Sequence, residues 1–332
     1  MTAPACSDLP PIDPALARTL QRFAQLDADT PTPQLDYVQR RRLLSTLQAQ
    51  LIRNPLPGIA QQDHFVAAEG REICVRSYQK QGAPGQQTLV WLHGGGWMVG
   101  DLNTHDDLCE HLVQFTGHTV LSVHYRRTPE NPFPAPLDDV MAVLQWLRSM
   151  QGVLPWASDA VLLGGDSAGG HLALAAAVRQ LQGHAADTGA AQIAGLLLLY
   201  PPLLPQQDNA SMRDFASGYG LTPAAMQRYW ADLGQAQGDA ATWLQPGLCT
   251  ARIAQLPPTL LMTASHDILR DEAEAFARHA QALGAPLQWL RAPGMVHGFA
   301  RMLAASPAAR QQVERACNAL AALRPPATPA HA

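Results

Sequence analysis

Short apolar runs of strand length alternate with helical patterns along most of the chain. The longest run covers residues 193–200, which is well short of a membrane-spanning helix. The pattern predicts strands near residues 72–78, 87–92, 119–125, 160–164, 193–200, 258–264 and 287–291, and helices near 137–150, 168–181, 271–283 and 308–323. Such alternation is typical of an α/β fold, with a mostly parallel sheet and helices on both faces.

Two segments interrupt this alternation. Residues 1–55 contain helical patterns at 14–26 and 34–51, whereas residues 203–250 lack a strand and hold a large share of the aromatic and methionine side chains. These side chains are Met212, Phe215, Tyr219, Met226, Tyr229, Trp230 and Trp243. Helical core is the simplest interpretation of the cluster, and a pocket lining is the alternative. The proline-rich residues 325–332 predict a disordered tail.

One predicted junction between a strand and a helix carries candidate catalytic chemistry. The apolar run ends in Gly-Gly-Asp-Ser-Ala-Gly-Gly at residues 164–170, and an alanine-rich helical pattern follows. Gly165 and Gly169 allow the sharp turn and close helix packing of a nucleophile elbow, which leaves Ser167 exposed at its tip. Ser167 is therefore the candidate nucleophile. Asp166, inside the turn, is expected to hold neighbouring backbone.

A glycine run after an earlier strand supplies candidate oxyanion donors. Residues 93–97 read His-Gly-Gly-Gly-Trp, and consecutive glycines let backbone N–H groups approach a ligand closely. Taken alone, the run is as typical of a flexible turn. In nucleophile-elbow enzymes, however, the donors come from such a loop and from the residue after the nucleophile. The predicted donors are Gly95, Gly96 and Ala168, with Gly94 as a further candidate.

The candidate acid and base follow the last two predicted strands. Asp267 comes after one strand and His297 after the next, so the chain order is Ser, acid, His, as a nucleophile-elbow hydrolase requires. Asp271 competes for the acid role, but it stands at a predicted helix start, where carboxylates commonly cap N–H groups. Glu272 is expected to favour the same helix start through its charge. His266 precedes the loop that should carry the base and ranks below His297.

These motifs together resemble the hormone-sensitive lipase family of α/β-hydrolases, the bacterial family IV esterases. The likeness runs from about residue 15 to about residue 322. It is carried by residues 93–97, by Gly-Asp-Ser-Ala-Gly-Gly at 165–170, by Asp-Ile-Leu-Arg-Asp-Glu at 267–272 and by His-Gly-Phe at 297–299. A further stretch, residues 123–134, resembles the family's Tyr-Arg-x-x-Pro-Glu segment. There His124 and Arg127-Thr128 replace the usual Asp and Leu-Ala. These differences concern residues that support the oxyanion loop and not the residues that carry out the chemistry.

The resemblance implies an α/β-hydrolase fold with a helical cap over the active site. Residues 1–55 and 203–250 would form the two parts of the cap, and residues 56–202 with 251–324 would form the catalytic domain.

The same resemblance implies catalysis by Ser167, Asp267 and His297, with the oxyanion donors given above. Some cap side chains should line an acyl pocket. The candidates for substrate contact are Phe215, Tyr219 and Trp97, although Trp97 could equally pack in the core.

Composition fits an ordinary enzyme. The chain has 332 residues, 47% of them hydrophobic, and a net charge of −4, without a basic patch suited to nucleic acid or an anionic membrane. The basic run at 40–42 is explained by a solvated helix face. The start of the chain lacks the basic and apolar regions of a signal peptide. Five widely spaced cysteines suggest neither disulfides nor a metal site, and they fit a cytoplasmic location. They are Cys6, Cys74, Cys109, Cys249 and Cys317.

The combined prediction is a serine carboxylesterase that hydrolyses short- to medium-chain acyl esters through an acyl-enzyme, with no cofactor and no metal. A related serine hydrolase acting on amides, such as a formamidase or deacetylase, would carry the same triad. A non-catalytic ligand-binding protein of this fold is a further alternative, against which the intact Ser, Asp and His set argues. The expected partner is a small-molecule ester. A homodimer is compatible with the sequence, which does not determine the oligomeric state.

Overall fold

A sheet of eight strands runs through the part of the chain that the structure describes. The computed structural model describes residues 9–29, 35–51, 55–82, 85, 87–184, 187–205 and 208–323. The strands are β1 Ile59–Ala68, β2 Arg71–Lys80, β3 Thr88–Leu92, β4 Thr119–Val123, β5 Ala160–Asp166, β6 Gln192–Leu199, β7 Thr259–His266 and β8 Leu287–Val296. Their spatial order is β1-β2-β4-β3-β5-β6-β7-β8. β2 is antiparallel to both of its neighbours and the remaining pairs are parallel, so the predicted sheet is confirmed.

Helices cover both faces of this sheet. They are α1 Pro14–Asp29, α2 Tyr37–Ala49, α3 Asp106–Thr116, α4 Ala135–Ser149, α5 Ala168–Gln182, α6 Ala210–Asp214, α7 Pro223–Leu233, α8 Asp239–Leu244, α9 Thr250–Ile253, α10 Arg270–Ala282 and α11 Pro307–Leu323. Buried side chains of α4, α5 and α10 share one apolar cluster, and those of α3 and α11 share the other. Strands β3, β4 and β7 are buried at every position because both of their faces are covered.

The sequence analysis missed two elements, β1 and α3. β1 lies at the edge of the sheet with β2 as its pairing strand, and most of its side chains are exposed, so no apolar run marks it. The signals for α3 were present in the sequence. The helix begins with Asp106 and Asp107 and ends at Gly117, which adopts the left-handed conformation of a common helix stop.

Two helical segments lie outside the sheet. α1 and α2 come from the first predicted cap segment, and α6, α7 and α8 come from the second. Both approach the loop after β3, because Arg41 of α2 bonds the Met98 carbonyl and the Tyr229 ring of α7 lies against Gly96. The division into cap and catalytic domain stays a prediction. The predicted tail at 325–332 and Cys6 lie outside the described residues.

The interpretation of residues 40–42 as a solvated face is wrong for two of the three arginines. Arg42 is exposed, but Arg40 is buried and Arg41 is half-buried with specific partners. Nothing in a local charge run reveals such distant partners. Within the described ranges, every helix is too short or too polar to cross a bilayer.

Candidate active site

Ser167 sits at a sharp turn between β5 and α5. Its φ of 53° lies in the left-handed region, which a residue with a side chain rarely adopts, and its N–H donates to the Leu199 carbonyl at 2.8 Å. A Cβ at Gly169 would overlap the Leu92 carbonyl oxygen, and one at Gly165 would overlap the Gly169 backbone. Both positions therefore need glycine, and the elbow fixes the serine where it was expected.

Ser167, His297 and Asp267 form a continuous hydrogen-bond chain. Ser167 Oγ lies 2.9 Å from His297 Nε2, and His297 Nδ1 lies 2.7 Å from Asp267 Oδ2. Asp267 is 1% exposed, and its other oxygen accepts the Leu269 N–H at 3.0 Å. A carboxylate at Nδ1 places the ring proton there, which leaves Nε2 free to accept the serine proton. The Tyr200 ring packs edge-on against His297 at 4.9 Å and supports the imidazole.

The competing acid and base have other partners. Asp271 accepts Arg270 Nε at 2.8 Å and the Ser211 N–H at 2.9 Å, so it joins α10 to α6. His266 stacks on Tyr219, with 5.6 Å between ring centroids and 12° between planes. Burial lowers the pKa of His266, and the nearby Arg270 charge lowers it further. The structure thus brings together the three residues ranked first and leaves the two alternatives in structural contacts.

The glycine loop after β3 lies against the elbow, where the Gly94 N–H donates to Asp166 Oδ1. Gly95 and Gly96 have φ of 123° and 57°, and the Gly95 carbonyl accepts the N–H groups of Met98 and Val99, which closes a tight turn. In the described part of the chain, no group accepts a hydrogen bond from the N–H of Gly95, Gly96 or Ala168. Those three N–H groups remain available to a ligand.

Gly94 differs from the other two loop glycines. Its N–H donates to Asp166 Oδ1 at 3.0 Å and lies 3.2 Å from His105 Nε2. An N–H that is already engaged cannot also stabilise an oxyanion, so the structure speaks against Gly94 as a donor. Its contact instead ties the loop to the elbow residue before Ser167.

Buried polar groups hold the loop from below. Burial alone would raise the pKa of Asp166, but the charge of His105 and the hydrogen bonds from His105 and Gly94 outweigh it, and the pKa falls below its ordinary value. Asp166 is therefore an anion that binds the Gly94 N–H strongly. On the other side, the Tyr125 hydroxyl donates to the His93 carbonyl at 2.6 Å, and the two rings stack at 4.2 Å.

Arg41 is a supporting residue that sequence reasoning missed. Its Nε donates to the Met98 carbonyl at 2.8 Å, and its guanidinium pairs with both oxygens of Glu130 at 2.6 and 2.7 Å. A further bond reaches the Thr128 carbonyl at 2.9 Å. Helix α2 is thereby fastened to the base of the oxyanion loop. The acidic Glu130 in the Tyr-Arg-x-x-Pro-Glu segment was the sequence signal that indicated a cationic partner.

Two of the predicted substrate-contacting residues are buried packing residues. Trp97 is fully buried, donates from Nε1 to His171 Nδ1 at 3.2 Å and packs 4.7 Å from Trp230. Of the two roles considered for Trp97, core packing therefore fits the structure. Phe215 is also fully buried, with the Arg270 guanidinium 5.0 Å above its ring, so it supports the loop of the candidate acid Asp267. Burial against these partners leaves neither side chain a free face for substrate.

Tyr219 and Tyr229 are half-buried residues. Tyr219 stacks on His266, the residue before the candidate acid Asp267. Tyr229 lies directly over the oxyanion loop, because a Cβ at Gly96 would overlap its ring. Of these two tyrosines, Tyr229 is the one that contacts the loop of the proposed oxyanion donors.

Glu272 departs from its expected role as a charged helix-start residue. Burial raises the pKa of Glu272 to about 8. The negative charge of Asp267 also raises this pKa, whereas the hydrogen bond from the Leu203 N–H lowers it. The carboxyl is therefore mostly neutral at pH 7. It holds the Leu203 backbone at 2.9 Å and does not act on the helix dipole as an anion.

No group of three or more His, Cys, Asp or Glu side chains in the described ranges is arranged to hold a metal ion. The proton-transfer chain and the free backbone donors are the chemical features of the site. Together with the sheet, they fit the α/β-hydrolase class of enzymes.

Comparisons with known proteins place the chain within that class. A family model described as the alpha/beta hydrolase fold matches residues 89–301. Carboxylesterase NlhH of Mycobacterium tuberculosis is 30% identical over 330 residues, which cover 96% of this chain and 98% of the relative. Ethyl acetate hydrolase of Pseudomonas putida is 31% identical over 237 residues, or 70% of this chain and 73% of the relative.

A solved structure agrees with these matches. The crystal structure of a thermostable esterase from Pseudomonas putida superposes with a TM-score of 0.85 at 27% identity, covering 95% of this chain and 98% of the esterase. The chain belongs to the hormone-sensitive lipase family of α/β-hydrolases, bacterial family IV.

Proposed function

We propose that this carboxylic ester hydrolase works through an acyl-enzyme on Ser167 and prefers short- to medium-chain acyl esters. The observation that carries the proposal is the hydrogen-bond chain from Ser167 through His297 to Asp267. It is supported by the N–H groups of Gly95, Gly96 and Ala168, which have no acceptor among the described residues. These are the parts that acyl transfer needs: an activated nucleophile, a proton carrier and an oxyanion site.

The proposed reaction has two halves. His297 Nε2 takes the Ser167 proton as Oγ attacks the ester carbonyl, and the N–H groups of Gly95, Gly96 and Ala168 stabilise the resulting oxyanion. The intermediate collapses to the acyl-enzyme, and His297 returns the proton to the departing alcohol. Water then loses a proton to His297 and attacks the acyl carbonyl. As the bond from the acyl carbon to Ser167 Oγ breaks, His297 returns that proton to Oγ, and the acid is released. Asp267 favours the imidazolium in both halves.

The preference for short and medium chains is supported by the residues around the loop. Trp97 and Trp230 pack behind the loop, and the Tyr229 ring closes over Gly96, so the space beside the donors is limited. The name of one relative, ethyl acetate hydrolase, describes a short acyl ester. A pocket wall discriminates by about 1 to 3 kcal/mol per methylene, which is enough to set a chain-length maximum.

Rates on 4-nitrophenyl esters from acetate to palmitate, beside 4-nitroanilides of the same acids, test this proposal. We expect a maximum at about C4 to C8, weak or absent anilide cleavage, and loss of on the order of 10⁶ in turnover in Ser167→Ala. Anilide cleavage that exceeds ester cleavage would favour an amidase. A maximum at palmitate, or more than about a tenth of the activity in Ser167→Ala, would refute the proposal.

A further inference from the structure

Arg41 reaches the oxyanion loop through backbone carbonyls as well as through its ion pair. Its Nε donates to the Met98 carbonyl at 2.8 Å, and its Nη2 donates to the Thr128 carbonyl at 2.9 Å. Met98 is 1% exposed, and the Arg41 side chain is 17% exposed. A guanidinium keeps its charge in proteins, so a cation acts here on backbone groups in largely buried surroundings.

The Met98 carbonyl is linked to Gly95 through one peptide group. A trans peptide group carries its carbonyl and its N–H on opposite sides, so the Met98 carbonyl and the Val99 N–H point in opposite directions. The Val99 N–H donates to the Gly95 carbonyl at 2.9 Å. A bond from Arg41 on one side of this peptide group therefore aligns and polarises the bond on its other side.

A second peptide group donates to the same acceptor. The Met98 N–H also donates to the Gly95 carbonyl, at 3.1 Å. On the other side of that peptide group, the Trp97 carbonyl accepts the Thr128 N–H at 2.9 Å. The carbonyl of Thr128 is in turn held by Arg41. Arg41 thus fixes both peptide groups that donate to Gly95, one directly and one through Thr128.

The Gly96 N–H belongs to the same peptide group as the Gly95 carbonyl. The two N–H groups that this carbonyl accepts therefore lie on the side opposite the Gly96 N–H. That N–H has no acceptor among the described residues and is one of the proposed oxyanion donors. Peptide dipoles that follow one another head to tail add together, and a cation at the carbonyl end makes the last N–H more positive.

We propose that Arg41 is a positioning residue for ester hydrolysis, which aligns and polarises the Gly96 N–H through the peptide groups of residues 97–99. The N–H is then oriented before the oxyanion develops, as preorganised electrostatic stabilisation requires. The inference rests on the proposed function, because it needs the oxyanion that forms when Ser167 attacks the ester.

Glu130 separates this role from simple fastening of helix α2. Glu130 pairs with the terminal nitrogens of Arg41 at 2.6 and 2.7 Å, whereas the Met98 carbonyl accepts from Nε. Glu130→Gln removes the ion pair and leaves the guanidinium with its carbonyl partners. If fastening alone mattered, Glu130→Gln and Arg41→Gln would have equal effects on hydrolysis.

Two ketones measure the stabilisation of the oxyanion. 1,1,1-Trifluoroheptan-2-one adds the serine hydroxyl to form a tetrahedral oxyanion, whereas heptan-2-one has the same chain and binds without addition. The readouts are kcat/KM on 4-nitrophenyl hexanoate and the ratio of the two inhibition constants. Both inhibition constants are measured on one preparation, so a loss of folded protein does not change their ratio.

We expect Arg41→Gln to lower kcat/KM and the preference for the trifluoromethyl ketone by about tenfold each, less than the roughly 10² to 10³ that loss of a whole donor costs. Binding of heptan-2-one should not change. Arg41→Lys should lose about threefold, because an ammonium keeps the charge without the planar fork. Glu130→Gln should stay within about twofold of wild type in both readouts.

Arg42→Gln, which removes the exposed neighbouring arginine of α2, is the matched control and should leave both readouts unchanged. A wild-type preference in Arg41→Gln, or an equal fall in Glu130→Gln, would overturn the inference. If thermal melting shows that Arg41→Gln does not fold, Arg41→Lys decides instead, and a wild-type preference there would overturn the inference.

Ser167→Ala separates this inference from the proposed function. In that variant, hydrolysis should be lost and the trifluoromethyl ketone should bind no better than heptan-2-one. If hydrolysis or the preference persists, the proposed function fails and the inference fails with it. If both are lost and Arg41→Gln behaves as wild type, only the inference fails.

Discussion

Protonation of His171 should destabilise the folded protein as pH falls below about 6.5. His171 lies one helical turn after Ser167 on α5 and is fully buried. Its Nδ1 accepts Trp97 Nε1–H at 3.2 Å, and its Nε2 faces the Leu244 carbonyl at 2.9 Å. An indole nitrogen only donates, so the neutral ring carries its proton on Nε2 and joins the oxyanion loop to α8. A second proton at Nδ1 would break the bond to Trp97.

The magnitude follows from the shift in pKa. Burial lowers the pKa of His171 from 6.5 to about 4, against the hydrogen bond to Leu244, which raises it. The unfolded chain therefore takes up the proton first, so the stability is complete above pH 6.5 and is lost as pH falls towards 4. A shift of that size corresponds to about 3 kcal/mol, of which about 2 to 3 kcal/mol is lost between pH 7 and pH 4.5.

Urea unfolding at several pH values from 7 to 4.5, followed by tryptophan fluorescence, measures this loss. The free energy of unfolding of the wild type should fall by about 2 to 3 kcal/mol more than that of His171→Gln, whose side chain does not titrate. His279→Gln, at an exposed position of α10, is the matched control and should follow the wild type. Parallel curves for wild type and His171→Gln would refute the reasoning, because then the buried ring would not resist protonation.

Three further predictions follow from the site. Asp267→Asn and His297→Ala should each lose on the order of 10⁴ in kcat on 4-nitrophenyl butyrate, whereas Asp271→Asn should stay within about tenfold of wild type; the reverse order for the two aspartates would show that the acid is misassigned. Gly169→Ala should fail to yield soluble, folded protein, since its Cβ overlaps the Leu92 carbonyl; a wild-type melting temperature would contradict this overlap. Because the pKa of Glu272 rises from 4.5 to about 8 on folding, its contribution is present below pH 4.5 and is lost as pH rises through 8. Urea titrations should therefore show that Glu272→Gln loses less stability than wild type from pH 5 to 8, and equal losses would argue against a neutral buried acid.

The candidate residues that the structure brings together could be found in the sequence because their signals are local. The glycines around Ser167 are required by contacts within one turn and its packing, and Asp267 and His297 each follow a recognisable apolar strand. Chain order then assigned the roles. The local signals did not reveal the role of Gly94, because its N–H donates to Asp166, 72 positions away. Which N–H groups of the loop lack an acceptor depends on such distant contacts.

The remaining misassignments arise from long-range packing. Arg41 looked like surface charge because its partner Glu130 lies 89 positions away. Trp97 and Phe215 are large aromatic residues near a site, and sequence does not distinguish a pocket wall from core, because that depends on which neighbours cover them. The edge strand β1 was missed for the converse reason, since its mostly exposed side chains give no apolar pattern.

Covalent trapping tests the central claim most directly. The purified protein would be treated with a 4-nitrophenyl phosphonate of short alkyl chain, and the adduct would be located by mass spectrometry of peptides. The account predicts one adduct per chain, on Ser167, with release of one equivalent of 4-nitrophenol and loss of ester hydrolysis in proportion to labelling. Ser167→Ala should take up no label. An adduct on another residue, or full labelling of Ser167 with hydrolysis intact, would contradict the assignment of Ser167 as the nucleophile.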